Sequence, residues 1–164
     1  MDNLWAPWRL PYVVAASKPP AGELPCFICR GLTETDDRRN LIVRRTPLGV
    51  VILNRFPYNN GHLLIAPQAH KAGLDELTPE EHLDLMTTIT HFLQQFDRLM
   101  KPDGYNIGLN LGRSAGAGLP GHLHWHVVPR WDGDTNYMPI LADTKVIVQS
   151  LDALFDLLTK TEAP

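Results

Sequence analysis

Three short apolar runs in the first half of the chain have the pattern of β-strands bounded by turns. They are LIVRR at 41–45, GVVILN at 49–54 and HLLIA at 62–66. NNG at 59–61 supplies turn-forming residues between the second and third runs. Short runs joined by short turns pair with their neighbours, so we expect an antiparallel meander.

A long amphipathic helix is predicted after the third strand. In TPEE at 78–81, Thr78 can cap the helix, Pro79 suits its first turn, and Glu81 can complete a capping box. Apolar side chains then recur at steps of four and three, which places them on one face: Leu85, Ile89, Phe92, Phe96 and Leu99. The helix is predicted to end near Lys101, before Pro102 and Gly104.

The second half of the chain alternates between apolar and polar residues. In GYNIGLNLG at 104–112, Asn106, Gly108 and Asn110 share one strand face. A glycine-rich loop at 114–121 leads to HLHWH at 122–126, where the same alternation predicts His122, His124 and His126 on one face of a strand. SLDALFDLLTK at 150–160 predicts a closing amphipathic helix.

The first 25 residues form a separate region, which we interpret as an N-terminal arm. Five prolines over residues 1–25 exclude a long helix or an interior strand, and Trp5 and Trp8 are predicted to dock the arm on the body or on a partner subunit. Residues 26–164 are long enough for one well-buried core and short for two. We therefore predict a single α+β domain, with an antiparallel sheet of about five strands, one long helix and a C-terminal helix.

The composition and charge of the chain argue against several classes of function. A formal charge of −3 argues against binding to nucleic acid through broad phosphate neutralisation, and leaves a small anionic ligand open. No apolar run approaches the roughly 20 residues of a membrane span, and no export signal is recognisable at the start. The only two cysteines, Cys26 and Cys29, lie close together, which is typical of a metal site or redox pair in a reducing compartment. We expect a soluble, cytoplasmic protein.

Three interpretations of the histidines compete. A merely solvent-facing strand would favour lysine, threonine or glutamate over repeated histidine. A catalytic metal would require partners that fix each imidazole, and the nearest acids, Asp132 and Asp134, lie beyond the strand. Nucleophilic attack by an imidazole on phosphorus accounts for the preceding glycine-rich loop as well, since its N–H groups can bind phosphate oxygens.

The run HLHWHVV at 122–128 resembles the signature of the histidine-triad (HIT) nucleotide-binding proteins at all seven positions. The resemblance covers about residues 26–150 and includes VILNRFPYNNGHLLIAP, NIGLNLG and HVVPRW. The matching branch of the family includes fragile-histidine-triad hydrolases and bacterial diadenosine tetraphosphate phosphorylases, and the resemblance is closest to the bacterial phosphorylases. PRWDGDTN at 129–136 and LWAPWR in the arm carry that branch assignment.

The resemblance implies a HIT-like fold, a homodimer and a role for each site residue. His124 is the implied nucleophile, flanked by His122 and His126. The other implied roles are a ribose contact for Asn54, a phosphate contact for Asn110, and either base stacking or packing for Trp131. Many relatives carry a polar residue where this chain has Gly118 and Leu119, so Ser114 or the backbone of Gly116–Gly118 would contact the leaving group instead.

The cysteine pair has a matching implication. In zinc-bearing relatives, the positions of His70 and His122 complete a site with two cysteines, which here are Cys26 and Cys29. Structural zinc is therefore predicted, and two metal-free thiols or a redox pair are the alternatives. The remaining histidines, His62, His82 and His91, are expected on the surface or on a helix face.

The predicted activity is nucleotidyl transfer. A dinucleoside polyphosphate, with diadenosine tetraphosphate as the first candidate, would be cleaved through a nucleotidyl-histidine intermediate. The nucleotidyl group would then pass to phosphate or water. Mg²⁺ can accompany the polyphosphate without being held by the protein. The alternative is a nucleotide-binding sensor or interaction module with little turnover. Base, polyphosphate length and acceptor are not fixed by the sequence.

Overall fold

A computed structural model describes residues 26–160, which form one five-stranded sheet and five α-helices. Every neighbouring strand pair is antiparallel, in the order β1-β2-β3-β5-β4. The strands are β1 Ile42–Arg45, β2 Gly49–Leu53, β3 Leu63–Pro67, β4 Gly104–Leu109 and β5 Trp125–Arg130. The five-stranded antiparallel prediction is confirmed. The arm over residues 1–25 lies outside the described residues.

The helices are α1 Phe27–Thr33, α2 Asp37–Asn40, α3 Pro79–Leu99, α4 Met138–Ala142 and α5 Leu151–Lys160. The predicted capping box of α3 is present, because the Thr78 hydroxyl accepts from the Glu81 N–H at 3.2 Å and the Glu81 carboxylate accepts from the Thr78 N–H at 2.7 Å. Within residues 26–160, each helix is too short or too polar to cross a membrane.

One row of directly paired residues crosses the whole sheet and defines its two faces. The row consists of Ile42, Ile52, Leu64, His126 and Gly108. Paired residues project to the same side of a sheet, so we call this side the site face. Helix α1 covers its β1 end, where a Cβ on Gly31 would lie 3.3 Å from Ile42.

Helix α3 packs on the opposite face. Tyr105 of β4 projects to that side, where its hydroxyl donates to the Leu93 carbonyl at 3.1 Å and to Asp97 at 2.6 Å. The predicted apolar stripe is buried there, with Phe92 and Phe96 at 0% exposure. Burying this stripe leaves the site face free for polar side chains.

The prediction of one strand carrying all three histidines is wrong. Strand β5 begins at Trp125, so only His126 lies in it, and His122 and His124 belong to the approach that follows Pro120 and Gly121. On this approach the Leu123 N–H bonds to the Lys71 carbonyl at 2.6 Å, beyond the end of β3. The bend lets neighbouring histidines point in different directions.

Candidate functional site

The His124 ring has one nitrogen hydrogen-bonded, and its other nitrogen has no hydrogen-bond partner among residues 26–160. It is buried, and its Nδ1 lies 2.8 Å from the main-chain carbonyl of His122. A carbonyl can only accept, so Nδ1 carries a proton, and in the neutral form of the ring the lone pair is on Nε2. An imidazole in this tautomer is a nucleophile.

His126 has the opposite tautomer, set by a chain that begins at a backbone group. The Tyr58 N–H donates to His62 Nδ1 at 3.0 Å, so His62 Nε2 carries the proton and donates to His126 Nδ1 at 2.8 Å. The proton of His126 is therefore on Nε2. The rings of His124 and His126 lie 5.1 Å apart, so a lone pair and an N–H donor are offered side by side.

Burial keeps both members of the His62–His126 pair neutral. It lowers the pKa of His62 to about 3 and that of His126 to about 4, with neighbouring imidazoles adding to each shift. Neutral rings preserve the directed donor chain, because a protonated His62 could not accept from the Tyr58 N–H. At neutral pH, His126 is an uncharged donor.

His62 is the site residue that the sequence interpretation missed. It was expected on a surface or helix face, but its side chain is 1% exposed. It precedes Leu64 by two residues, and Leu64 pairs with His126, so both imidazoles project to the site face. A polar residue directly before the apolar run of β3 was a signal, but its partner could be named only once the β3–β5 pairing was known. His82 is exposed and His91 is half-buried on α3, as expected.

Asn110 and Asn54 reach the site from the ends of β4 and β2, which lie on opposite sides of the β3–β5 pair. Leu109 pairs with Trp125, so Asn110 comes opposite His124 when the register is continued. The Asn54 amide nitrogen lies 3.2 Å from His62 Nδ1, and its oxygen accepts from the Phe56 N–H at 3.0 Å. Both side chains are half-buried, and can contact a ligand along the site face.

The glycine-rich loop is exposed and partly bonded to itself. Ser114 lies in a single 3-10 turn, Arg113–Ala115, and Gly116 follows it with φ of 90°, a conformation that favours glycine. The Gly116 N–H bonds to the Arg113 carbonyl at 2.9 Å. The Gly118 N–H makes no bond to another backbone group of residues 26–160, which leaves it the freer phosphate donor.

Trp131 does not join the other site residues within one chain. It follows β5 at the end away from His124, and seven residue-to-residue steps of extended chain separate the two by roughly 23 Å. Its indole N–H donates to the Met100 carbonyl at 3.3 Å. This contact supports packing against the end of α3.

A second cluster joins α1 to the approach before β5. Its members are Cys26, Cys29, His70 and His122, whose ligand atoms all lie within 4.8 Å of one another. His122 Nδ1 is 3.2 Å from Cys26 Sγ and 3.5 Å from Cys29 Sγ, and His70 Nδ1 is 3.2 Å from Cys29 Sγ. These four side chains, brought together from three separate segments, can hold a metal ion.

The dimensions and tautomers suit zinc. Zinc bonds of about 2.0–2.3 Å to nitrogen and sulfur place neighbouring ligand atoms of a tetrahedron roughly 3.3–3.8 Å apart. His122 Nε2 donates to the Pro67 carbonyl at 2.8 Å, which leaves Nδ1 with a lone pair toward the cysteines. Burial lowers the pKa of His122, which favours the neutral form that binds metal.

Comparisons of the sequence with known proteins point to one family. The HIT domain profile matches residues 36–133. An AP-4-A phosphorylase of Mycobacterium tuberculosis is 38% identical over 154 residues, covering 92% of this chain and 79% of that protein. An asymmetrical bis(5'-nucleosyl)-tetraphosphatase of Schizosaccharomyces pombe is 36% identical over 90 residues, covering 55% and 49%.

A solved structure supports the same fold. A Zn-bound histidine triad family protein of Mycobacterium smegmatis superposes with a TM-score of 0.60 at 24% identity, covering 73% of this chain and 81% of that one. The profile match spans more than half of the chain, and it includes His62, His124 and His126. The chain belongs to the HIT-domain family.

Proposed function

We propose that this protein cleaves dinucleoside polyphosphates, with diadenosine tetraphosphate as the first candidate, by transferring a nucleotidyl group to His124. The observation that carries the proposal is the pair of neighbouring imidazoles with opposite tautomers. His124 Nε2 offers a lone pair and His126 Nε2 offers a proton donor. The names of the M. tuberculosis and S. pombe relatives support this substrate class.

The first step forms a bond between His124 Nε2 and the α-phosphorus. The bond from phosphorus to the bridging oxygen breaks, and the remaining polyphosphate leaves with the electron pair as an anion. The imidazole becomes positively charged in the intermediate, and the His122 carbonyl stabilises that charge through Nδ1–H. The neutral His126 N–H donates to a phosphate oxygen.

The second step returns the enzyme to its starting state. Phosphate or water attacks the phosphorus, the P–N bond breaks, and its electron pair returns to His124 Nε2. When water is the acceptor, its protons pass to the solvent or to phosphate oxygens. One difficult displacement is thereby replaced by two easier ones.

The remaining site residues position the substrate. Asn110 lies opposite His124 and binds phosphate oxygens together with Ser114 and the backbone of Gly116–Gly118. Asn54 binds the ribose, where an amide can both donate and accept. Trp131 would reach a second base only from another copy of the chain, because it lies far from His124 in its own.

Zinc, bound by the four-residue cluster, has a structural role in this proposal. It would fix α1 to the segment before β5, and so hold the His122 carbonyl that sets the tautomer of His124. All four ligands are protein side chains, which is typical of a structural site. Mg²⁺ would enter with the polyphosphate. Two adjacent free thiols in such a site fit the cytoplasm, a reducing compartment.

A homodimer completes the proposal. Strand β4 lies at the edge of the sheet, and near its end Ile107 and Leu111 are 43% and 46% exposed. An edge strand with exposed apolar side chains is suited to pairing with a second copy. Light scattering of the purified protein measures its mass directly, and a monomer at micromolar concentration would contradict this part.

Incubation with diadenosine tetraphosphate, with and without inorganic phosphate, tests the function. ADP plus ATP, formed only with phosphate, is the result expected of a phosphorylase, and AMP plus ATP indicates asymmetric hydrolysis. Either result supports nucleotidyl transfer. Bound but intact substrate under both conditions would contradict the proposed enzymatic activity and support the alternative, a nucleotide-binding sensor or interaction module.

A further inference from the structure

An open cavity of about 340 Å³ lies at the end of the sheet where Asn54 is found, outside the histidine cluster. It is lined by Arg30, Glu34, Arg39, Asn40 and Arg55, so it has three guanidinium groups against one carboxylate. This excess of positive charge occurs in a chain whose formal net charge is −3. No residue of the cavity takes part in the proposed mechanism.

The single carboxylate of the cavity is already engaged. Glu34 accepts from the Asn40 amide at 2.8 Å and lies 4.0 Å from Arg30 Nε. Arg55 donates to the Arg39 main-chain carbonyl at 3.3 Å. The Arg39 guanidinium makes no hydrogen bond or ion pair with any side chain among residues 26–160.

Two neighbouring arginines have their guanidinium groups paired with carboxylates, unlike Arg39. Arg38 pairs with Asp156 and lies over the Phe155 ring, and Arg45 binds Asp37 at 2.6 Å. Arg38 thus connects α2 to α5, and Arg45 connects β1 to α2. Arg39 follows Arg38 directly and points instead to the cavity, where its donors face solvent.

The fold places the cavity next to the proposed ribose contact. The Leu53 N–H bonds to the Leu41 carbonyl at 2.8 Å, so the start of β1 and the end of β2 lie side by side. Asn40 and Asn54 flank these two residues, and Arg55 follows Asn54. Helix α1, which carries Arg30 and is followed by Glu34, covers the same site face as His126. The cavity therefore begins next to Asn54, which contacts His62, the partner of His126.

We propose that this cavity binds a phosphate group on the 2′ or 3′ oxygen of the nucleoside whose 5′-phosphorus lies at His124. The inference rests on the proposed function, because Asn54 marks the ribose. Guanidinium groups match phosphate oxygens with paired, charge-assisted hydrogen bonds. One free ribose hydroxyl remains for Asn54. The substrate class then includes nucleotides that carry an additional ribose phosphate.

Calorimetry on the intact protein tests the site with four probes: AMP, adenosine 2′,5′-bisphosphate, adenosine 3′,5′-bisphosphate and inorganic phosphate. One of the bisphosphates is expected to bind at least about tenfold more tightly than AMP. The double variant Arg39→Ala/Arg55→Ala should remove that advantage while leaving AMP affinity within about twofold. The control Arg98→Ala/Lys101→Ala removes the same charge near the C-terminal end of α3 and should preserve the advantage.

Three results would overturn the site. They are equal affinities for AMP and both bisphosphates, an advantage retained by the double variant, and an equal loss in the control. Inorganic phosphate that binds as tightly as the bisphosphate, and that the double variant no longer binds, would identify a free-anion site and also contradict a ribose phosphate.

The proposed function is tested separately. Failure of the wild-type protein to cleave diadenosine tetraphosphate would refute the function while leaving a bisphosphate advantage measurable. If cleavage proceeds at the same rate in the wild type and in the double variant but no advantage is found, only the cavity proposal fails.

Discussion

Two histidine clusters lie on either side of residue 123 and use the same side chain for different tasks. In the proposed metal-ligating cluster, His70 and His122 turn Nδ1 toward Cys26 and Cys29. In the proposed reactive cluster, Nδ1 of His124 and of His126 is bonded within the protein, and each Nε2 is left for a ligand. The difference shows that the partner of one ring nitrogen decides what the other nitrogen can do.

The clusters are also connected. The His122 ring belongs to the metal-ligating cluster, whereas its carbonyl binds His124 in the reactive one. A change in the position of His122 would therefore affect both clusters. Variants that affect one cluster and leave the other intact separate these two roles.

The largest effect is expected for His124→Asn. Loss of a covalent nucleophile should lower turnover by about 10³-fold or more, while zinc content and thermal stability stay at wild-type values because the metal-ligating side chains are unchanged. Steady-state rates, elemental analysis and a melting curve measure all three. Near-wild-type turnover would show that His124 is not the nucleophile.

Cys26→Ser should have the reverse profile. Metal binding contributes directly to folding, so zinc content should fall and the free energy of unfolding should drop by about 2–5 kcal/mol. The exposed His82 offers a control, since His82→Ala removes an imidazole from outside both clusters. Wild-type protein purified without zinc from zinc-supplemented cells would count against the site.

Asn54→Ala tests how far the reactive cluster extends toward the nucleoside. Two uncharged hydrogen bonds to ribose are worth about 1–3 kcal/mol together, so AMP should bind more weakly by that amount. A 2′-deoxy analogue should lose less, and a double-mutant cycle gives the coupling. The variant must be shown to fold, because Asn54 also accepts from the Phe56 N–H. Equal losses for both ligands would remove Asn54 from the site.

His62→Gln tests the donor chain through the pH dependence of stability. Unfolded histidines take up protons below pH 6.5 or so, whereas folded His62 and His126 resist protonation down to pH of about 3 and 4. The unfolded state therefore binds more protons between pH 4 and 6.5, and the free energy of unfolding must rise with pH across that window.

The His62→Gln variant should show a shallower rise in stability and a kcat about tenfold lower, in line with one lost hydrogen bond. Denaturant unfolding at pH 5 and 7 measures the slope. An unchanged pH dependence would show that His62 is not held neutral in the folded protein.

The smallest effect is expected at Gly108, which pairs with His126 on the site face and has open space where a Cβ would lie. Gly108→Val should place a side chain beside His126 and lower kcat/KM several-fold, up to about tenfold. Gly104→Val is the matched control, since Gly104 lies on the same face of β4, also open, opposite Arg130. Equal effects of the two substitutions would attribute the loss to the strand itself.

The sequence by itself determined the features that depend on local spacing. The α3 capping box, the apolar stripe through Phe92 and Phe96, and the existence of five strands follow from periodicity and turn chemistry. HLHWHVV and the paired cysteines carried the family resemblance, and with it the expectation that His70 and His122 approach Cys26 and Cys29.

Tertiary structure decided how those residues are used. The β3–β5 register buried His62 and made it the partner of His126. The start of β5 at Trp125 freed the His122 ring for the cysteines and its carbonyl for His124, and the length of β5 separated Trp131 from His124. Such outcomes depend on pairings between distant segments, and a periodic pattern does not contain them because it records which face a residue occupies and not which residue lies opposite.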